Sequence, residues 1–548
     1  MATCTWDGGT SNWNDAANWN TDGATDRVPI TGDDVVINTA GATVTLDVHI
    51  GGGQTNTGLG SLTITLGTLN TNDGSNRMLT VTGVTTIGPN SGVADQATLT
   101  CNTSIISLGA SETSSFALRV TQGGTFDGGS GAHTIGSIEV VNSAAAKMDF
   151  TSGDTTLSSE RTSSNRNIVT NVNSTVTHSD GTIIVTFAGN TELSWESTTS
   201  GNEGPYNVTI NHASAILRSR RSPFRVLGDL TLTAGEYNTL SGDSGADLDL
   251  TVTGDVIITG GGLVCNTSTV IVNSFTISAG GILSAPDASG SLTLNGTKNA
   301  WSFQNNSTGF SHNNGTITQT NAGHIKSVSS NPMYNFIMNS SSSDSHEAVF
   351  RPSSGTDCVI AANEVTVTRG IVKLNTVSHN ASMGTLLVGS TGTFQASSGT
   401  TSLDAAGQGH SGNPSAMEIV SGGTFVHNNG TIKLDGITDQ DIEMDGTGNF
   451  YNLTLNKTNN DVIMHPNVTI ENNLDVTLAS DHTLRPASTS NTVTVLNQTI
   501  LRAGQIGATT AYDANHNWGT LTILGGTFIV GSGTNEVTAI RNVGGTIS

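Results

Sequence analysis

The segment FVHNNGTIKL, residues 425–434, has two near copies earlier in the chain, FSHNNGTITQ from Phe310 and VTHSDGTIIV from Val176. Their shared His-x-x-Gly-Thr-Ile core starts at His178, His312 and His427. A second motif follows each core and reads YNVTI, YNFIM and YNLTL, from Tyr206, Tyr334 and Tyr451. Two motifs in the same order, three times, indicate a structural repeat. The copies are unevenly spaced along the chain, which predicts that the repeat tolerates loop insertions.

A shorter period of alternating apolar residues lies inside the long one. Phrases such as GSLTITLGTL, GTLTILGGTF and GTFQASSGTTSL recur at a period of ~20–25 residues. The alternating apolar residues are Leu62, Ile64 and Leu66 in the first phrase. In the second they are Leu521 and Ile523, followed after a break by Phe528 and, just beyond the phrase, Val530. Alternation predicts strands with one buried face. The Asn, Gly, Ser and Asp residues between the runs predict turns, and no long segment has the apolar spacing of a helix.

Short strands that recur at this period predict an all-β fold, a right-handed parallel β-helix or β-solenoid. A globular β-sandwich also has alternating strands, but internal similarity over 548 residues favours the solenoid. At ~22 residues per coil we expect roughly 23 coils. We expect a Trp-rich cap over 1–50, a first solenoid part over 51–175, and modules over 176–310, 311–426 and 427–548.

The HNNGTI phrase is predicted to form a corner followed by a strand. We expect the Asn-Gly pair to make the tight bend and the Ile to begin the inward row. The histidine is interpreted as a polar corner residue. A metal-ligand role for His178, His312 and His427 is the alternative, but no Cys or Glu stands at ligand spacing from them.

Composition excludes some classes of function. The net charge is −23 with 20 basic residues, which disfavours nucleic-acid binding because little is present to neutralise phosphate. Charged residues are only 11% of the chain, so we expect a polar but mostly neutral outer surface.

The basic segment RSRRSPFR contains Arg218, Arg220, Arg221 and Arg225. It is interpreted as a solvated loop, with an acidic sugar or an acidic neighbouring subunit as the alternative partner.

The four cysteines are far apart, at Cys4, Cys101, Cys265 and Cys358, and two of them share the phrase CNTS. We expect equivalent positions in two coils with inward thiols, no disulfide framework, and folding in a reducing cytoplasm. The first residues have neither a basic nor an apolar signal region, and the chain has no apolar run long enough to predict membrane insertion. A removed signal, or exit from the cell inside a virus particle, would explain a surface fold without an export signal.

Three of the six tryptophans, Trp6, Trp13 and Trp19, fall at the start of the chain. We expect them to cap the open edge of the first coil, with a sugar-stacking platform as the alternative, and Asp33 and Asp34 to close the turn that follows. The isolated Trp195, Trp301 and Trp518 are interpreted as core or loop packing. The carboxyl-terminal phrase VGGTIS is that of an ordinary coil, and its edge is expected to be covered by another chain or to continue into a partner.

The richest acidic stretch is LDGITDQDIEMDG, with Asp435, Asp439, Asp441, Glu443 and Asp445. On a strand, the last three would share one outward face while Ile442 and Met444 point inward. We interpret this face, and the stretch SGDSGADLDL (Asp243, Asp247 and Asp249), as solvated acids. Calcium binding through these oxygens, or glycoside cleavage by paired carboxylates, are the alternatives. We predict no catalytic residue, no metal site and no cofactor.

The opening TWDGG…NWNDAANW…VP…GDDVVI and the phrases HNNGTIKLDG and FYNLTLNKTNN resemble adhesin-like β-solenoid surface proteins of bacteria and their phages. The resemblance covers nearly the whole chain and implies a parallel β-helix body on a cell or particle surface. We therefore expect a non-enzymatic fibre, spike or decoration protein on the virion surface. Its expected partners are other virion or filament subunits and further copies of itself, with a host-surface glycan as a candidate ligand. The alternatives are a bacterial surface adhesin or extracellular-filament subunit, and a polysaccharide-degrading tailspike.

Overall fold

The computed structural model shows a parallel β-solenoid of about 18 turns, in which 57% of the residues are strand and 1% are helix. The predicted fold class is confirmed. The turns are fewer than the roughly 23 predicted from ~22 residues per coil, because many coils are longer than that period. The structure describes residues 1–22, 25–91, 93–109, 115–159, 166–196, 203–296, 300–326, 330–352, 357–374, 379–405, 415–438, 440–507, 515–530 and 535–548.

The chain forms two compact units. The first comprises Met1–Val272 and Ile277–Ser284, and the second comprises Asn273–Thr276 and Ala285–Ser548. Strand β25, Thr269–Ile277, contributes residues to both units.

The other strands of the first unit are β1 Thr3–Trp6, β2 Ser11–Asn12, β3 Trp19–Thr21, β4 Asp34–Thr45, β5 Ser61–Asn70, β6 Leu79–Val81, β7 Thr85–Ile87, β8 Ala97–Thr100, β9 Ile106–Leu108, β10 Leu118–Val120, β11 Gly124–Asp127, β12 His133–Ile135, β13 Ile138–Val140, β14 Lys147–Asp149, β15 Asp154–Leu157, β16 Arg166–Thr170, β17 Thr175–Thr177, β18 Thr182–Val185, β19 Gly189–Trp195, β20 Asn207–Ser219, β21 Phe224–Val226, β22 Leu230–Asn238, β23 Leu250–Ile258, β24 Gly262–Val264 and β26 Ile282–Ser284. The described helix is a short 3-10 turn, Ala16–Asn18.

The strands of the second unit are β27 Ser291–Leu294, β28 Trp301–Asn305, β29 Gly309–Ser311, β30 Thr316–Gln319, β31 Gly323–Lys326, β32 Met333–Asn339, β33 Glu347–Phe350, β34 Cys358–Lys373, β35 Ala381–Gln395, β36 Thr400–Leu403, β37 Ser415–Ile419, β38 Thr424–Val426, β39 Thr431–Leu434, β40 Asp441–Met444, β41 Phe450–Lys457, β42 Val462–His465, β43 Val468–Leu478, β44 Thr483–Pro486, β45 Thr492–Ala503, β46 Gln505–Ile506, β47 Asn515–Ile523, β48 Thr527–Phe528, β49 Asn535–Asn542 and β50 Thr546–Ile547.

The number of residues per coil varies because loops are inserted between the strands. The strands themselves keep their register with those of the neighbouring coil. Leu62 pairs with Thr85 in the next coil, and Thr85 pairs with Leu118 across a longer stretch of chain. Leu118 then pairs with Ile138 across a stretch shorter than either of these. The apolar side chains of these strands point inward, so that stacked coils share a core that no single coil could close.

The inward row changes parity where a strand turns a corner. Leu62 and Ile64 are fully buried as predicted, but Leu66 is only half-buried and the row resumes at Leu69. The corner lies at Gly67, whose φ is +87°. The prediction for Val530 was also wrong, since its side chain is 48% exposed. Alternation of apolar residues therefore identifies a strand, but the alternation is interrupted where the strand passes through a corner.

The three tryptophans at the start of the chain form the predicted aromatic cap. Trp6, Trp13 and Trp19 are at most 1% exposed, and the Trp19 ring packs edge-on against the other two at centroid distances of 5.0 and 4.6 Å. Strand β1 pairs in parallel with β4 and antiparallel with β3, so β3 ends the parallel ladder on this side. None of the three rings is available as a sugar platform, and that alternative was wrong.

Candidate ligand-binding cleft

An open cleft of about 740 Å³ lies beside the aromatic cap, in the first unit. It is lined by residues 28–31, 47–49 and 54–56, together with Trp13, Asn14 and Arg77. We call it the cap cleft. Its volume falls in the range of small-molecule sites in proteins, ~300–1,000 Å³. The alternation of the flanking strands gave no sign of it, because the cleft is built from loops.

One wall of the cap cleft is the loop 51–58, which leaves the ladder between two isolated bridges. Ile50 pairs with Leu79 and Leu59 pairs with Val81, so the loop between Ile50 and Leu59 has no strand partner. The loop opens with three glycines whose φ angles are +105°, +62° and +83°, a conformation that other residues rarely adopt. The sequence GGGQTNTG was the available signal, since it interrupts the alternation with residues that favour positive φ.

A second wall of the cleft, residues 28–31, is held in place by a buried carboxylate. Asp33 is 2% exposed and accepts hydrogen bonds from Arg27 Nη1 at 2.6 Å, from the Ile30 amide at 2.9 Å and from the Ala2 amide at 3.0 Å. Burial alone would raise the pKa of Asp33, but these hydrogen bonds and the Arg27 charge lower it to about 2. The predicted turn at Asp33 is confirmed.

Side-chain hydrogen bonds join the two walls and the cap. The Asn56 amide donates to the carbonyl of Pro29 at 3.0 Å, and Asp47 accepts from the backbone amide of Asn14 at 2.9 Å. His49 accepts the backbone amide of Met78 at Nδ1, 3.1 Å away, which leaves Nε2 as the protonated nitrogen of the neutral ring. The cap cleft is therefore formed before any ligand arrives.

The three repeated histidines lie at corners, as predicted, but the bend differs from the prediction. In the third copy the two left-handed residues are Asn428 and Asn429, at φ +49° and +60°, and the amide of Gly430 closes the turn on the carbonyl of His427 at 2.9 Å. The bend is therefore an Asn-Asn turn of type I′. Gly430 is required because a Cβ there would collide with the carbonyl oxygen of Ser397 in the preceding coil.

Each repeated histidine stacks on the tyrosine of the second repeated motif. The centroid distances are 5.2 Å for His178–Tyr206, 5.2 Å for His312–Tyr334 and 5.6 Å for His427–Tyr451, with ring planes 23–25° apart. In every copy Nδ1 accepts the backbone amide two residues later, at 2.9–3.0 Å. The two repeated motifs thus meet in space. The inward Ile of each copy, Ile183, Ile317 and Ile432, is at most 4% exposed, as predicted.

The acidic stretch after residue 435 is not the solvated face that was predicted. Asp441 and Glu443 are each 5% exposed, and only Asp445 faces solvent among the three. Ser415 donates to Glu443 Oε1 at 2.7 Å, and Glu443 stands in register with Glu418, which is also 5% exposed. The outward face of β40 is therefore covered. Asp439 lies outside the described residues.

The other acidic stretch and the basic segment follow the predictions more closely. Asp243 and Asp249 are exposed and Asp247 is half-exposed. Arg221 is exposed and pairs with Asp243 at 2.6 Å. Arg220 departs from the solvated-loop interpretation, because it is 5% exposed and lies 3.6 Å from Glu192 and 3.5 Å from Asp243. Carboxylates of the same chain already neutralise this part of the basic segment.

All four cysteines are buried and free, and the CNTS pair is equivalent as predicted. The carbonyl of Cys101 accepts from the Thr71 hydroxyl and that of Cys265 from the Thr239 hydroxyl, each at 2.8 Å. Burial raises the pKa of the Cys358 thiol to about 12. None of the four is poised to act as a nucleophile.

The isolated tryptophans also pack as predicted where they are buried. Trp195 is 5% exposed and stacks on Phe150 at 5.2 Å, and Trp518 is 1% exposed against Phe528 at 5.2 Å. Sequence reasoning missed two core histidines, His133 and His516, which are 1% and 4% exposed. Burial lowers the pKa of each to about 4.

Across the residues that the structure describes, no group of three or more His, Cys, Asp or Glu side chains is placed to hold a metal ion. Within the same residues, no helix has the length and apolarity to cross a membrane. No protein-family model matches the chain, and the search of curated proteins finds no significant relative.

Proposed function

We propose that this chain is a non-enzymatic structural β-solenoid of a phage particle, a fibre, spike or decoration protein that also contributes to attachment at the host surface. Other virion subunits and further copies of the chain are its proposed partners. The resemblance of its opening segment and repeats to adhesin-like solenoids of bacteria and phages supports the surface location. In this role the chain needs a stable outer surface formed by its coils and a site that attaches to the host.

The observation that carries the proposal is the neutral, hydroxyl-bearing wall of the coils. Thr80, Ser107, Thr134 and Thr156 stand in register on four successive coils, each on the outward face of its strand. Stacked Thr and Ser side chains suit an exposed parallel sheet and pack on one another across strands. Such a wall stays hydrated without a high density of charge, as a surface scaffold requires.

The experiment is electron microscopy of native particles from the source of this chain, combined with gold-labelled antibodies against it. Label in symmetric copies on capsids or tails is the expected result. Label on cell-bound filaments without capsids would overturn the phage assignment in favour of a bacterial adhesin or filament subunit. Label confined to the cell interior would overturn both.

A second candidate function is polysaccharide cleavage by a tailspike, favoured by the pair Glu418 and Glu443. The backbones of adjacent parallel strands lie about 4.8 Å apart, so two glutamates in register can bring their carboxyl groups to the separation of about 5–5.5 Å that retaining glycosidases use. The two side chains are covered, so a substrate would have to reach them past that cover. Release of reducing ends from host polysaccharide, lost in Glu443→Gln and kept in a Gln122→Ala control, would support this function over the first.

A further inference from the structure

We propose that the cap cleft binds a short, neutral oligosaccharide. This inference rests on the attachment role proposed above and names the place and the chemical class of the ligand. It is carried by three properties of the cleft: walls that are already fixed, polar groups that the protein leaves unused, and an apolar strip that ends in an exposed isoleucine, Ile30.

The walls are fixed by bonds that a ligand does not need to form. Asp33 anchors the loop at residues 27–31, and Asn56 ties that loop to the 51–58 loop through Pro29. Asn56 also accepts the amide of Gly58 at 3.2 Å, which closes the second loop on itself. Pre-formed walls reduce the entropy lost on binding, and this matters for sugars, whose individual contacts are weak.

The polar groups that remain unused are neutral amides and single donors or acceptors. Over the described part of the chain, no side-chain hydrogen bond engages the carboxamides of Asn14 and Gln54, and both residues are exposed. His49 Nε2 and the second carboxylate oxygen of Asp47 are likewise unengaged there. A carboxamide donates and accepts at once, which matches a sugar hydroxyl, itself a donor and an acceptor.

An apolar strip borders these groups. Val28, Pro29 and Ile30 are consecutive in the cleft wall. Val28 is half-buried and Pro29 is buried, while Ile30 is 54% exposed, unlike most large apolar residues of the chain. The C–H faces of a pyranose ring can pack on such a strip while its hydroxyls reach the amides. Because the Trp13 ring is fully buried behind the wall, there is no aromatic platform, and we expect affinity in the roughly millimolar range.

The charges of the cap cleft argue against an anionic ligand. Arg77 lines the cleft, but Asp73 already holds its guanidinium with two hydrogen bonds, at 3.1 and 2.7 Å. The two carboxylates of Asp47 and Asp73 therefore outnumber the one guanidinium. Asp47, whose carboxylate already accepts the Asn14 amide, is also too little for a cation that needs six or more oxygen ligands. Neutral hydroxyl-rich molecules remain the class that fits.

The test is a glycan array that carries neutral and acidic oligosaccharides, probed with the full chain and with two variants. Asn14→Ala combined with Gln54→Ala removes both free carboxamides without breaking an internal hydrogen bond. Gln122→Ala removes an amide outside the cleft as the matched control. We expect binding to neutral glycans that falls about tenfold in the double variant, as for the loss of one to two hydrogen bonds, and stays unchanged in the control.

Three outcomes would overturn the inference: no binding to any neutral glycan, binding confined to acidic glycans, or binding that the double variant keeps. Saturation-transfer NMR on a neutral glycan retained by the array gives a second readout. We expect the strongest transfer to ring C–H protons, reduced in Ile30→Ser. If the chain is found on particles but no glycan requires the cap cleft for binding, the proposed structural function stands. Only the inference that the cleft binds an oligosaccharide is then rejected.

Discussion

Strands β39 and β40 follow each other in the chain, have the same length and show the same alternation, TIKL and DIEM. In β39 the outward residues, Thr431 and Lys433, reach solvent. In β40 the outward residues, Asp441 and Glu443, are buried together with the inward Ile442. The difference teaches that alternation identifies the inner face of a coil. Whether the outward residues of a coil reach solvent depends on other segments of the chain that pack over them.

The largest effect is expected on the inner face, where the two strands should behave alike. Ile442→Ala and Ile432→Ala each leave a cavity in the core and should cost about 2–5 kcal/mol in the free energy of unfolding. The matched control is Ile437→Ala in the loop between the strands, where the side chain is 69% exposed and about 0.5 kcal/mol or less is expected. Hydrogen exchange of the β39 and β40 amides measures these costs locally. Equal effects at Ile437 and Ile442 would contradict the assignment of the inner face.

The next largest effect concerns a histidine on an inner face. His133 packs against Phe126 at 5.7 Å, and burial lowers its pKa from 6.5 to about 4. Below pH 6.5 the unfolded chain binds a proton that the folded chain does not, so the unfolding free energy falls as the pH falls. The loss should approach roughly 3 kcal/mol at pH 4.

His133→Phe removes this titration, so the difference in stability between variant and wild type should grow as the pH falls from 6.5 to 4. Denaturant unfolding at several pH values measures it. A difference that does not change with pH would show that the pKa of His133 is the same in the folded and the unfolded chain.

A smaller effect should separate the outer faces of the two strands. Ser415→Ala removes the hydroxyl that donates to the buried Glu443 carboxylate and should cost about 1.5–3 kcal/mol, as for a hydrogen bond to a charged group. On β39, Lys433→Ala removes a half-exposed ion pair with Asp435 and should cost about 1 kcal/mol or less. Ser390→Ala, at an exposed serine, controls for the loss of a hydroxyl. If Ser415 and Lys433 gave equal losses in denaturant unfolding, the outer faces would not differ.

The smallest effect is expected at the corners, outside both faces. Asn314 has a φ of +59°, so Asn314→Ala should cost about 1–2 kcal/mol, while Asn314→Gly should stay within about 0.5 kcal/mol. Thermal unfolding of the two variants compares them directly. A larger loss for glycine than for alanine would mean that the Asn side chain, and not its backbone angle, holds the corner.

The sequence predicted what depends on local pattern. The strands, the inward Ile432, the corner at His427 and the aromatic cap all follow from residue periodicity and turn chemistry. The buried Glu443 and Arg220 could not be predicted, because their burial depends on segments distant in the chain. The cap cleft was missed for a related reason: its walls are loops, which are placed by single contacts such as that between Asn56 and Pro29. The pairing of each repeated histidine with a tyrosine was within reach, since both motifs were visible.

That pairing has an evolutionary consequence. The stretch of chain from histidine to tyrosine is longest in the first copy and shortest in the second, yet the ring centroids stay 5.2–5.6 Å apart in all three. The stacked rings therefore act as fixed joints, and the loops between them can gain or lose residues while the strands there keep their register. New surface loops can be acquired at these places, and a foreign peptide inserted there should leave the coils in register.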